Sequence, residues 1–186
     1  MKVFIFEGAR GTGKTTQARN VRQKISEITL VNPTGFHDDG IKGYMKIIEY
    51  YNSWLAFLQD MSDHDSKIVF DRFFFTERVF SELYKDYDFS YYFKPAVKDL
   101  VLDNEVTVLF FTINNEEELA QRLNRDKVPF GKVAESVEET LKQQELYRKI
   151  LNESKGMFGL NLIEIDTTGK TPEEVEDEVF KIVGGK

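Results

Sequence analysis

Apolar residues fall along this chain in two rhythms that take turns. Short, mainly apolar runs appear at Val3-Phe4-Ile5-Phe6, Ile28-Thr29-Leu30-Val31 and Ile68-Val69-Phe70, then at 106–111 and, interrupted by Asn161 and Glu164, at 160–165. Runs of this length without polar alternation read as strands covered on both faces. The strands are expected over 2–6, 28–31, 67–71, 105–112 and 160–166. Between them the apolar positions spread to helical spacing. Over 41–61, Ile41, Tyr44, Ile48, Tyr51, Leu55 and Leu58 recur at three- and four-residue steps, with Trp54, Phe57 and Met61 widening the stripe. Further helices are expected over 14–25, over 72–84 after a short start, and over 116–125 and 134–152. Another ends near Leu102 with Pro95 in its first turn, and a last one runs from the Thr171-Pro172-Glu173 cap to Val183. Strands alternating with helices predict an α/β fold, a parallel sheet flanked by helices, as one domain over 1–186. The active site of such a sheet lies beyond the carboxyl ends of its strands. That edge collects 8–15, 32–39, Asp71 with Arg72, and the chain after Thr112.

The first of these segments, Gly8-Ala9-Arg10-Gly11-Thr12-Gly13-Lys14-Thr15-Thr16, fits G-x-x-x-x-G-K-[ST], the phosphate-binding P-loop. It follows a strand and opens a helix, as the motif requires. The glycines let backbone N–H groups turn inward around a phosphate chain. The helix beginning near Lys14 points its positive end at the same anion. Gly8, Arg10, Gly11, Thr12, Gly13, Lys14, Thr15 and Thr16 are therefore the expected ATP-phosphate cradle. Lys14 would reach the β- and γ-phosphates, and the Thr15 hydroxyl would ligate Mg²⁺.

Three more groups carry chemistry. Asp71 ends an apolar strand and is the second expected Mg²⁺ ligand; its bland alternative is a helix cap. Arg72 follows it, and a guanidinium there can grip a phosphate in bidentate fashion. Arg122 and Arg125 sit three apart on one helix face, ahead of the segment 126–132 that holds Pro129 and Gly131. They read as arginines of a lid around 120–135 that closes over the transferring group. The plain alternative is a solvated face balanced by Glu116, Glu117 and Glu118. Arg10 either touches a substrate phosphate or points to solvent. Phe73, Phe74, Phe75, Tyr44, Trp54 and Phe57 include candidates for a base-stacking wall, although aromatics at helical spacing are more often core. His37 and His64 lack metal-ligand spacing and read as surface residues.

Composition narrows the classes. The chain has 186 residues, 25 Lys and Arg against 32 Asp and Glu, and a formal charge of −7. An acidic chain is a poor partner for nucleic acid or anionic membranes. There are no cysteines, which excludes disulfides, thiolate metal sites and cysteine nucleophiles. The first apolar run stops at Glu7, shorter than a signal peptide, and no stretch approaches a membrane span. A cytoplasmic protein is the expectation.

These residues resemble those of the thymidylate kinases and related deoxynucleoside and deoxynucleotide kinases. The resemblance rests on Phe6-Glu7-Gly8 leading into Gly13-Lys14-Thr15-Thr16-Gln17, and on Asp71-Arg72-Phe73, similar to the family's Asp-Arg-Tyr. Looser matches are Asn32-Pro33-Thr34-Gly35, the Arg122/Arg125 pair, Tyr147, and Ile165-Asp166 before Pro172-Glu173-Glu174-Val175. It implies a five-stranded parallel sheet and transfer of the ATP γ-phosphate to a nucleoside or nucleotide. It implies that Arg72 contacts the acceptor's 5′ end, and that members are often dimers, though no dimer face is identifiable here. Departures from the pattern bear on the acceptor. Arg10 stands where thymidylate kinases carry an acid, and Val31-Asn32 where they carry a phosphate-binding arginine. Asn32 also stands where deoxynucleoside kinases carry a glutamate base, and an amide takes no proton. Asp38 or Asp39 could serve instead, and with Arg72, Arg10 and Phe73 they form the expected acceptor-binding set. A phosphate acceptor is already ionised and needs no base, so the balance favours a nucleoside monophosphate over a deoxynucleoside 5′-hydroxyl. A P-loop ATPase or switch is the non-kinase alternative; Asn124-Arg125-Asp126-Lys127 is not the guanine motif of a GTPase. A polynucleotide 5′-kinase would want a basic groove.

Overall fold

The apolar runs pair side by side, as strands without a polar face must. The computed structural model describes residues 1–125 and 136–185. In chain order these form β1 (Lys2–Glu7), α1 (Lys14–Lys24), β2 (Ile28–Val31), α2 (Gly40–Asp60), β3 (Lys67–Asp71) and α3 (Phe74–Tyr84). Then come α4 (Ser90–Leu102), β4 (Glu105–Thr112), α5 (Glu116–Arg125), α6 (Val137–Phe158), β5 (Asn161–Asp166) and α7 (Pro172–Val183). The sheet has five strands in the order β2-β3-β1-β4-β5, and every pairing is parallel.

Alternate residues of each strand feed two cores. Val3, Ile5, Ile68, Phe70, Val108 and Phe110 pack toward α2, α3, α4 and α6. Phe4, Phe6, Val69, Leu109 and Phe111 pack toward α1 and α7, against Ala18, Val21, Val175 and Val179. Burial on both faces is why the strands read as continuous apolar runs. The two central strands are in register, with Ile5 opposite Phe70 and Phe6 opposite Asp71. They end level, so the loop after β1 and the loop after β3 leave the sheet at one edge. That shared edge sets up the site. No helix among the described residues is long and apolar enough to cross a membrane.

α3 starts at Phe74, after the short start expected from residue 72, because Arg72 takes a left-handed φ of 74° and Phe73 is extended. Two helices differ from their expected bounds. α4 begins at Ser90, so Pro95 is interior rather than in the first turn. Pro95 has no N–H for the carbonyl of Tyr91, and both residues lie on the exposed face, where water can take that carbonyl. α6 runs six residues past 152. Ser154 bonds its own helix through the carbonyl of Ile150, and Gly159, at φ 69°, supplies the left-handed stop. Of the lid expected over 120–135, residues 126–135 lie outside the described residues.

Candidate active site

The loop between β1 and α1 closes around its own carbonyl. Gly8, Gly11 and Gly13 have φ values of 146°, 79° and 86°, in the region glycine alone enters freely. A Cβ at Gly8 would stand 2.4 Å from the Phe111 carbonyl oxygen of β4, so no other residue fits there. Gly13 caps α1. Thr12 Oγ1 and Lys14 Nζ both donate to the carbonyl of Ala9, at 2.9 and 3.0 Å. Lys14 is 4 % exposed. Burial pulls its ammonium down to about 7, and the Arg72 cation pushes the same way, against Asp71 and Glu7. An anion brought against this amine would favour its charged form.

Asp71 reaches the same place from β3. Thr15 Oγ1 donates to its Oδ1 at 3.2 Å, and Asn32 Nδ2 to its Oδ2 at 3.2 Å. The buried carboxylate thus joins the starts of α1 and α3 and the loop after β2. Arg72, beside it, is exposed.

In the sequence Glu7 ends an apolar run and belongs to the Phe6-Glu7-Gly8 match, with no partner of its own in view. The structure gives it a buried polar centre. Its Oε1 accepts the Phe73 N–H at 2.8 Å, and its Oε2 accepts the Thr76 hydroxyl at 2.7 Å. Tyr147 of α6 lies 2.8 Å from that hydroxyl. Burial raises the Glu7 carboxyl to about 7, though Thr76, Phe73 and the cations of Arg72 and Lys14 hold it down. A raised folded value means the protonated form is favoured. Its contribution to stability is therefore full below the ordinary value of 4.5 and is lost as pH rises through about 7. Glu7→Gln is neutral throughout, so its stability relative to wild type should climb by on the order of 2 kcal/mol from pH 4.5 to 8. Thermal melts of both proteins across that range check this; parallel curves would contradict it.

Several expected site residues are placed elsewhere. The ring of Phe73 is 1 % exposed and packs on Phe70, Phe74 and Tyr51, so it forms core and not an acceptor wall. Phe74 and Phe75 are buried likewise. Asp39 caps α2 through Gly40 N–H and accepts from Asp86 N–H, while Asp38 pairs with Lys46. These bonds hold both carboxyls below the usual range, Asp38 through Lys46 and Asp39 through Asp86. Neither is suited to take a proton near neutrality. The Asp39 carboxylate, through Asp86 N–H, and the Asp38 carbonyl, which accepts from Lys85 Nζ, tie the exposed loop before α2 to the chain after α3, which the sequence cannot show because these partners lie 47 residues on.

Arg122 is bound to protein on every side recorded for it. It donates to the Gly11 carbonyl at 3.2 Å, to Thr167 Oγ1 at 2.9 Å and to the Thr167 carbonyl at 2.8 Å, and pairs with Glu118. It braces the P-loop against the turn after β5. Arg125 is exposed at the end of α5. Arg10 is half-buried in the loop, and Thr16 is exposed at the start of α1. Another buried acid, Glu77, accepts the Tyr87 hydroxyl at 2.5 Å and is pushed up by burial. Its other oxygen would lie 3.4 Å from a Cβ on Gly35.

No protein-family model matches the chain. A probable thymidylate kinase of Methanococcus vannielii is 30% identical to it, over 96% of this chain and 93% of that protein. A thymidylate kinase structure from Candida albicans superposes with a TM-score of 0.70 at 17% identity, covering 99% and 91% of the two chains. The YorR protein of Bacillus subtilis, solved with phosphorylated GDP, also gives 0.70, at 18% identity over 98% and 96%.

Proposed function

This chain belongs to the thymidylate kinase family, and from that premise we propose how its cleft performs the family's reaction. The chain is an enzyme that transfers a phosphoryl group from ATP to a nucleoside monophosphate. The observation that carries the proposed site is the meeting of Lys14, Thr15, Asp71 and Arg72 at the level ends of β1 and β3.

In this reading the phosphates of ATP lie along the backbone N–H groups of the loop from Gly8 to Thr16. Lys14 exchanges the Ala9 carbonyl for a phosphate oxygen. Thr15 and Asp71 suit Mg²⁺: both are hard oxygen donors, and they stand 3.2 Å apart. Among the described residues no cluster of three or more acids or histidines competes for a metal. When bound, the ion would be held by Thr15 and Asp71 and would offset the charge of the phosphates. Arg72 takes the acceptor phosphate. Its oxygen, already ionised, attacks the γ-phosphorus. The new P–O bond forms as the β–γ bridging bond breaks, and ADP leaves with the electron pair. No general base is required, which agrees with the Asn32 amide beside Asp71. We assign Arg122 and Arg125 to the transferring group, and Arg122 would first have to release Gly11 and Thr167. We place the reaction in the cytoplasm, where ATP and nucleoside monophosphates occur.

The test is a coupled ADP-release assay with ATP, Mg²⁺ and a panel of deoxynucleoside and ribonucleoside monophosphates, nucleosides and an oligonucleotide. At least one monophosphate should raise turnover well above the no-acceptor rate. ATP consumption that ignores every acceptor would sink the kinase site. Asp71→Asn should raise the Mg²⁺ concentration needed for half-maximal rate by about 10-fold or more, since the carboxylate charge is lost with its shape kept. An unchanged Mg²⁺ titration would remove Asp71 from the metal site.

A further inference from the structure

We propose that Glu7 is the positioning residue for Arg72: its enclosed carboxylate holds the chain after β3 in the one conformation that turns this arginine toward the acceptor. The inference rests on the reading of Arg72 as the acceptor-phosphate contact.

Arg72 is the only non-glycine among the described residues with a positive φ, 74°. An L-residue with a long side chain is disfavoured there and stays only where its surroundings over-determine it. Two consecutive bonds do so. The Arg72 N–H donates to the carbonyl of Phe6 at 3.0 Å, and the next N–H, of Phe73, donates to the Glu7 carboxylate at 2.8 Å. The last two residues of β1 therefore clamp the peptide units on either side of the Arg72 Cα. Downstream, the buried rings of Phe73, Phe74 and Phe75 stop α3 from sliding.

Phe73, the N-cap of α3, brings no capping side chain. In a capping box the acid at the third helical position reaches back to the N-cap N–H. Here that position is Thr76, and Glu7 supplies the acid from another strand while also accepting the Thr76 hydroxyl. Tyr147 completes the chain of bonds from α6. Glu7 is 0 % exposed and both its oxygens are engaged, so it acts through Arg72 and not on substrate.

Three variants test this with the full-length protein and the best monophosphate from the panel. Glu7→Gln keeps every bond with the polarity reversed: the amide oxygen takes the Phe73 N–H, the amide nitrogen donates to Thr76, and Thr76 turns its proton to Tyr147. Its acceptor KM should stay within about 3-fold of wild type. Glu7→Ala strands the Phe73 N–H; its acceptor KM should rise at least about 10-fold with ATP KM within about 2-fold. Glu7→Gln as impaired as Glu7→Ala would overturn the proposal, because charge and not bonding would then be the cause. Equal rises in both KM values, or no rise in either, would do the same. The third arm needs no activity. Glycine at 72 adopts this φ freely, so Glu7→Ala should lower Tm less in an Arg72→Gly background than in wild type. Additive losses would overturn the clamp even if Arg72 binds acceptor. Coupled losses with no acceptor effect would instead refute the role given to Arg72. Should Glu7→Ala fail to fold, Glu7→Leu, which fills more of the volume and equally strands the Phe73 N–H, replaces it in all three measurements, with the same signs expected.

Discussion

Lys14→Ala should lower kcat by about 10³-fold and leave the protein folded. Among the described residues Lys14 is the only buried cation, and its amine stands 3.0 Å from the Ala9 carbonyl. In the transition state, charge spreads over the γ-phosphoryl oxygens, and a fixed cation in a poorly solvated cleft stabilises that charge far more than water does. Stability should move the other way. Burial drags Lys14 down to about 7, so its charged form is held against its preference. Removing it relieves that cost, and Tm should hold or rise. Steady-state kinetics and a thermal melt of one preparation check both halves. Wild-type turnover would remove Lys14 from the cradle; a collapsed melt would show that the amine supports the fold.

Arg72 should show the sharpest separation of stability from activity. Arg72→Ala and Arg72→Gly both lose the guanidinium, so both should raise acceptor KM by about 30-fold or more while changing ATP KM little. They differ in backbone. Alanine keeps the penalty of a Cβ at φ 74°, and glycine does not. Arg72→Gly should therefore be the more stable by about 1 kcal/mol, or about 2–4 °C in Tm for a chain of this size. Equal melting points would mean that the left-handed turn is unstrained. Equal losses for ATP and acceptor would mean that Arg72 serves the phosphates of ATP.

Glu7 and Phe73 illustrate where residue-level reading runs out. Glu7 stands in plain view before the glycines, an acid at the end of an apolar strand. Its partners are 66 and 69 residues away, and nothing local distinguishes a buried clamp from a strand end. Phe73 fails in the opposite direction. An aromatic beside an arginine at the end of a strand invites a stacking role, and only the extended backbone at 73 turns its ring inward onto Phe70 and Tyr51. Asp38 and Asp39 follow the same rule, since an acid in a polar loop is a base or a tether depending on what lies across from it.

Whatever depends on neighbours a few residues apart could be read from the chain. Unbroken apolar runs mark strands buried on both faces, the alternation with helices dictates parallel pairing, and the spacing of Gly8, Gly13 and Lys14 marks an anion cradle, because glycine conformation and strand periodicity are local physics. Whatever depends on contacts between distant segments had to await the fold. The level ends of β1 and β3, the left-handed turn at Arg72 and the depressed lysine and raised glutamate beside it arise from packing. Burial and strain belong to an assembled cleft, and no short window of residues contains them.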